Sequence, residues 1–302
     1  MSFLIIVAAA VLAVLPAFLV ISTVLIWQRL ARRRKRRSPL TTELLRPPGF
    51  SLSERIDDLR LDLAGYLFVA MLFPTMVLAL ALVQSQSGNA SPPVLLAMIH
   101  GTAIVIVLAL ISLRAIQLAR LIRSHREGRD GEWATAQLLE PIIAGGGRVL
   151  HDLQAPGFNL DHVVIAPGGV FAIETKHRLK PTTGNGKADA EVRFDGKALR
   201  FPDWTDTTTA VQASAQARWL SDRLTRATGL PVTVRAVIAL PGWFVSATTR
   251  AEVNAINPKA CHFMLKPRRG EPPLAADSIQ RIAYQAEQLC RLPDPQQTAG
   301  KR

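Results

Sequence analysis

Three side chains near the middle of the chain, Asp161, Glu174 and Lys176, have the types and spacing for phosphoryl chemistry. Glu174 and Lys176 stand two apart in the run Val170-Phe171-Ala172-Ile173-Glu174-Thr175-Lys176. Its period-two pattern predicts a strand, on which both project to one face. Pro167-Gly168-Gly169 marks a turn, and residues 161–166 predict the partner strand. A tight turn at Pro167-Gly168 pairs Ala166 with Gly169 and sets Asp161 opposite Glu174 on the same face. A three-residue turn shifts that register by one. In either register two carboxylates and an ammonium gather at one end of an otherwise apolar hairpin. Like charges held so close repel, and a divalent cation removes the conflict. Carboxylate oxygens are the ligands Mg²⁺ prefers. A lysine beside them can hold an attacking water and offset charge developing on phosphate. The chemistry this suits is metal-assisted phosphodiester hydrolysis. The plain alternative is a solvated hairpin end carrying a Glu–Lys pair, which is worth little.

The elements that must position this group lie in residues 127–302, a normal size for one domain. The spacing predicts a helix over 130–144 with Asp130 as its N-cap. Strands are expected at 147–153, 161–166 and 170–176, and a hairpin at 191–201 around Asp195-Gly196. A helix follows over 208–227, with Val211, Ala215, Trp219, Leu220 and Leu224 on one face. Residues 232–240 read as a buried strand, 260–265 as another, and 275–291 as a final helix. Interleaved helices and strands argue a mixed α/β layer fold. Gly145-Gly146-Gly147 lacks the Lys-Ser/Thr of a phosphate loop and reads as a helix stop. His162, on the strand face away from Asp161, reads as a packed histidine, and His151 and His262 as structural. Trp204, Trp219 and Trp243 are candidates to stack on bases, although Trp219 fits the apolar face of its helix. Cys261 and Cys290 are the only cysteines and have no metal-site spacing.

Ahead of this domain the composition changes. The chain has 302 residues, 49% of them hydrophobic, with a net charge of +13 and a mean hydropathy of +0.19. Three uncharged apolar runs, 3–27, 63–83 and 94–113, are each about long enough to span a bilayer as a helix. The first lacks a basic n-region and a small-residue cleavage site, so it reads as an uncleaved anchor. Loop 28–62 holds ten Lys/Arg, including the run 32–37, whereas 84–93 holds no charge. Basic flanks favour the cytoplasmic side. The expected topology puts the N-terminus outside and both loop 28–62 and everything after 114 inside. Residues 1–126 carry +9 and residues 127–302 only +4, so the high pI belongs to topology rather than to a nucleic-acid surface. The run 32–37 could also attract anionic lipid head groups.

The motifs in the second part resemble a known family. Gly131-Glu132, then Asn159 with Asp161-His162-Val163-Val164, then Gly169-Val170-Phe171 and Ile173-Glu174-Thr175-Lys176, are similar to the nuclease-related domain, NERD, of the wider PD-(D/E)XK nuclease superfamily. Gln212, with Leu220 and Leu224, resembles its later glutamine-bearing helix. The likeness covers roughly residues 127–240. It implies an α/β architecture: N-terminal transmembrane helices in 1–126, then a PD-(D/E)XK-like domain with a central mixed β-sheet flanked by helices. It also implies Asp161 and Glu174 as ligands of Mg²⁺ or Mn²⁺, joined by the Thr175 carbonyl and supported by Glu132. Lys176 would position the nucleophilic water. Gln212 would orient Lys176 or touch the phosphate backbone. His177 stands where the family often has Asn, and the usual Asn-Pro before the glutamine helix is absent. The expected protein is a multi-pass nuclease of a bacterial inner membrane, acting on nucleic acid, DNA first, at the cytoplasmic face. Two other readings stand beside it: a nuclease-like module that holds nucleic acid without cutting, and a membrane adaptor.

Overall fold

The computed structural model describes residues 22, 23, 26, 44–86, 93–181, 190–249 and 251–291. The expected span 3–27, but for Ser22, Thr23 and Ile26, and the basic run 32–37 lie outside the described residues. The chain divides into two compact units. One comprises Met1–Thr41 and Asp57–Arg123, the other Thr42–Ile56 and Ser124–Arg302.

In the first unit the apolar runs 63–83 and 94–113 lie within two long helices, α1 (Phe50–Gln86) and α2 (Pro93–Leu138). Both are long and apolar enough to cross a membrane. Their most apolar windows are 0% and 6% buried. A core helix of the same composition would be covered, whereas here Met71, Leu78, Val105 and Leu110 are exposed. Both helices run further than their apolar parts. α1 starts at Phe50, inside the stretch expected as loop, because no helix breaker separates Gly49 from the apolar run. α2 continues through Asp130, which is exposed on the helix and does not cap it. The break falls instead at Leu139, ahead of Pro141 in the short helix α3 (Glu140–Ala144), since proline cannot donate to the preceding turn.

The second unit is built on a five-stranded mixed sheet. Its strands are β1 (Arg148–Ala155), β2 (Phe158–Ala166), β3 (Gly169–Thr175), β7 (Val234–Ala239) and β9 (Asn254–Ile256), in that spatial order. β1, β2 and β3 pair antiparallel, while β3, β7 and β9 run parallel. The β2–β3 turn is the two-residue one, Ala166 facing Gly169 and His162 facing Ile173. Continuing that register puts Asp161 opposite Glu174. Helices α4 (Thr209–Thr228) and α5 (Ala276–Glu287) cover one face, where Val163, Ile165 and Ala172 meet Ala213, Leu220 and Ile282. On the other face Val164, Phe171, Ile173 and Val237 pack against Leu139, Ile142 and Met264. With both faces covered, the central strands read as continuous apolar runs. A second sheet, β6-β5-β4-β8, adds β4 (Glu191–Phe194), β5 (Leu199–Arg200), β6 (Thr205–Asp206) and β8 (Phe244–Ala247). β4 and β5 form the expected hairpin.

Two local expectations change. Residues 260–265 are not a strand. Pro258–Leu265 is a 3-10 helix, with Pro258 at its first position and the Asn257 side chain accepting from the Lys259 N–H. The buried face of α4 is Ala210, Ala213, Gln216, Ala217, Leu220 and Leu224, whereas Val211 and Ala215 are exposed. Small alanines let α4 approach the sheet closely, and this turns the larger Val211 outward.

Candidate active site

The β2–β3 hairpin delivers Asp161 and Glu174 to one end of the sheet, Lys176 follows β3 directly, and α2 and α4 bring Glu132 and Gln212. Glu132, Asp161, Glu174 and Lys176 line one cavity of about 270 Å³, along with Leu52 and Arg178. A cavity of about 300 Å³ opens by Arg218, Arg235 and Arg268, near the start of β7. Because β3 and β7 run parallel with Val170 beside Val234, that cavity lies at the opposite end of the strands from Glu174, and no residue expected in the site lines it.

Glu174 is nearly closed off, at 4% exposure. Its Oε1 accepts from Lys176 Nζ at 2.7 Å and from Gln212 Nε2 at 2.9 Å, and its Oε2 accepts from Gln216 Nε2 at 2.8 Å. Lys176 Nζ also donates to Gln212 Oε1 at 3.3 Å. An ammonium has three donors, so one is left for a water or a phosphate oxygen. Asp161 Oδ2 accepts from the Thr175 N–H at 2.7 Å. Burial, and then the charges of Glu174 and Glu132, push its carboxyl well above the usual range, against the pull of Thr175 N–H and Lys176. Glu132 is 7% exposed, and its Oε2 accepts from the Gly49 N–H at 3.0 Å. Burial raises its carboxyl to about 7; the Gly49 bond opposes this, and the charges of Asp152 and Glu174 add to it.

Gly131 explains why the residue before Glu132 carries no side chain. A Cβ there would lie 2.3 Å from His177 Cβ. The bare helix surface lets the chain leaving β3 pass directly over α2, which sets Glu132 beside Glu174 and Lys176. Glycine costs helix stability, and here it secures the close approach.

Gln216 and Asp152 carry roles that the motif reading missed. Gln216, one helical turn after Gln212, is buried and ties Glu174 Oε2 to the Asn159 carbonyl. The four-residue spacing of two glutamines was its only signal. Asp152 is buried at 3% exposure and accepts from Asn159 Nδ2 at 3.1 Å.

The remaining candidates separate cleanly. His162 is fully buried, with its Nδ1 2.8 Å from His151 Nδ1. Burial holds both imidazoles below their ordinary range, His151 at about 4, so both are neutral packing groups near pH 7. Trp243 is buried and Trp219 packs edge-on against Phe158. Only Trp204 of the three is exposed, stacked on Phe201 with the Arg178 guanidinium 5.3 Å from its ring centre.

Carboxylate oxygens are hard donors, and three acidic groups share this cavity with Lys176 and Arg178. That excess of negative charge fits a divalent cation of the Mg²⁺ class. Among the described residues, however, no group of three or more His, Cys, Asp or Glu side chains is drawn close enough to hold a metal ion.

Residues 127–241 match the family model of the nuclease-related domain, NERD. The chain carries a nuclease-related domain. No curated protein and no solved structure matches the chain. The NERD segment runs from the end of α2 through β7 and holds the hairpin, Lys176, Gln212 and Gln216. It leaves out β9, the 3-10 helix and α5, which complete the sheet and its cover.

Proposed function

We propose that the protein is a membrane-anchored, Mg²⁺- or Mn²⁺-dependent nuclease that hydrolyses phosphodiester bonds of DNA at the cytoplasmic face. The observation that carries this reading is the gathering of Asp161, Glu174, Glu132 and Lys176 in one cavity of a nuclease-related domain. Asp161 and Glu174 would hold the ion, with Glu132 beside them. When bound, the ion supplies positive charge against the phosphoryl oxygens. Lys176, anchored on Glu174 and Gln212, holds the water in line through its remaining donor. Glu174 and Gln212 fix where that donor points. The two apolar helices support the anchor, and the basic flanks of the apolar runs support a cytoplasmic site.

The test uses the full chain in detergent micelles with labelled plasmid and linear DNA, in Mg²⁺, Mn²⁺ or EDTA. Metal-dependent cutting that disappears in both Asp161→Asn and Lys176→Met is the expected result. Because Asp161 must lose its proton to act as a ligand, calorimetry should show proton release on metal binding. A folded chain that neither cuts nor binds metal removes the proposal.

One observation favours a second reading, a module that holds nucleic acid without cutting it. Both Glu174 oxygens are occupied by Lys176, Gln212 and Gln216. In that case DNA binds in EDTA, and Mg²⁺ adds nothing.

A further inference from the structure

The site is held from outside the matched segment. Residues 44–53, upstream of the apolar part of α1, form a strap within the second unit. Its start is pinned by the Arg46 N–H on the Cys290 carbonyl at 2.7 Å and by a bridge between Leu45 and Arg291. Two arms then reach the carboxylates. In the first arm, the Gly49 N–H donates to Glu132 Oε2, and Trp133 Nε1 donates to the Pro48 carbonyl at 2.9 Å. Gly49 sits at φ +67, and a Cβ there would meet Arg129 Cγ at 2.6 Å, so the strap lies flat on α2 only with glycine at this point. In the second arm, Asp152 Oδ2 accepts from Arg46 Nη1 at 3.0 Å, Ser51 Oγ at 2.8 Å and the Ser51 N–H at 3.2 Å. Asp152 Oδ1 accepts from Asn159, whose carbonyl accepts from Gln216, which donates to Glu174.

Arg46 and Asp152 are 8% and 3% exposed. A buried ion pair is an inefficient way to gain stability, since an apolar pair of the same volume does as well or better. It does impose one geometry. Asp152 sits at φ +50, a conformation that few non-glycine residues adopt, and every oxygen it presents is used to fix a neighbour.

We infer that Arg46, Gly49 and Ser51 are positioning residues of the site: through Glu132 directly, and through Asp152, Asn159 and Gln216 to Glu174, the strap holds the carboxylates in working geometry. The inference rests on the nuclease reading and adds a part that lies outside residues 127–241. Groups that orient metal ligands typically change affinity or turnover by about 10–100-fold when removed.

The test compares the full chain with Arg46→Ala and with Arg46→Ala/Asp152→Asn, in detergent micelles. The single variant leaves a buried carboxylate without its cation and should melt lower. The double variant removes that charge and should recover the melting temperature. An amide at 152 offers one acceptor oxygen where the carboxylate offers two, so Ser51 and Asn159 can no longer both donate to it and the strap is no longer held on the relay as in wild type. The expected result is a kcat and a Mn²⁺ affinity about 10–100-fold below wild type in the double variant, with KM for DNA unchanged. Recovery of kcat and Mn²⁺ affinity together with melting temperature would show a merely structural role and overturn the inference. Hydrogen exchange of the amides in 130–134 and 172–176 supplies an arm that needs no activity. Faster exchange in the double variant supports the strap's role, and unchanged protection overturns it. If wild type neither cuts DNA nor binds Mn²⁺, the nuclease reading fails alone and the exchange result still decides the strap.

Discussion

Replacing Glu132 by glutamine should make the protein more stable, by an amount that grows above pH 4.5 and is complete above neutral pH. The Glu132 carboxyl titrates at about 7 in the folded chain, against an ordinary value of 4.5, chiefly because burial disfavours its charge. Below pH 4.5 the group is protonated in both states. Between 4.5 and 7 the folded state keeps a proton that the unfolded state has released, so stability falls as pH rises. Above 7 the folded chain bears the full cost of the buried anion, about 3 kcal/mol. Glutamine keeps the volume, and its carbonyl oxygen can still accept from the Gly49 N–H. Glu132→Gln should therefore raise the melting temperature at pH 8 by about 6–12 °C for a unit of this size. At pH 4.5 the two chains should melt together. The assay is thermal unfolding of the full chain in EDTA, followed by tryptophan fluorescence. An equal or lower melting temperature at pH 8, or the same difference at both pH values, would refute the electrostatic reasoning. Adding Mg²⁺ should narrow the gap, since a cation relieves the same repulsion.

Gln216→Leu removes the donor on Glu174 Oε2 while nearly conserving volume. It should cost about 2 kcal/mol, the worth of a hydrogen bond to a charged group, and should lower cleavage more than DNA binding; a gel-shift titration beside the cleavage assay separates the two. Gly131→Ala forces a Cβ to 2.3 Å from His177 Cβ. It should destabilise by about 1–3 kcal/mol, even though alanine favours a helix, and a rise in melting temperature would show that the close approach is dispensable. Burial alone would push the Asp206 carboxyl up, but hydrogen bonds from Thr209 and Thr208 outweigh it and hold the group at about 2. Its contribution is therefore full above pH 3.8 and lost as pH falls through 2. Asp206→Ala should cost about 1–2 kcal/mol at pH 7, with a difference from wild type that fades toward pH 2 in a denaturant titration.

The hairpin was legible because its signals are local. Pro167-Gly168 marks a turn, and either register it allows gathers Asp161, Glu174 and Lys176 at one end of the hairpin; the structure selects the two-residue turn, which sets Asp161 across from Glu174. The β4–β5 hairpin around Asp195-Gly196 was legible for the same reason. Where packing decides, local signals failed. Val211 looked like part of the inner face of α4 because it is large and apolar, yet it is exposed while Ala213 and Gln216 are buried; Trp219 does pack against the core. Residues 260–265 are apolar enough for a strand, but Asn257-Pro258 starts a 3-10 helix. Asp130 has the chemistry of an N-cap, but nothing before it ends the helix, and only Pro141 does.

The strap was the least legible part, and charge hid it. Ten basic residues between two apolar runs explain themselves as a topology signal, so Arg46 looked like one of many. Its partner, Asp152, lies 106 positions away, and no spacing rule connects the two. Only the fold shows that this arginine is buried while others in the stretch, such as Arg55 and Arg60, are exposed. The domain boundary moves with it. A chain cut at 127 keeps the matched nuclease-related segment and every carboxylate of the site. It loses the cation on Asp152, the N–H on Glu132 and the Leu52 wall of the cavity. Silence from such a fragment would report on a stripped site, not on the protein's chemistry. Glu132 and Asp152 already repel each other, and removing Arg46 and the Gly49 N–H leaves two buried acids with only Asn159 still donating to Asp152. The strap thus answers the electrostatic problem of the two acids with the Gly49 N–H on Glu132 and the Arg46 guanidinium on Asp152, and a fragment that lacks it meets that problem with neither.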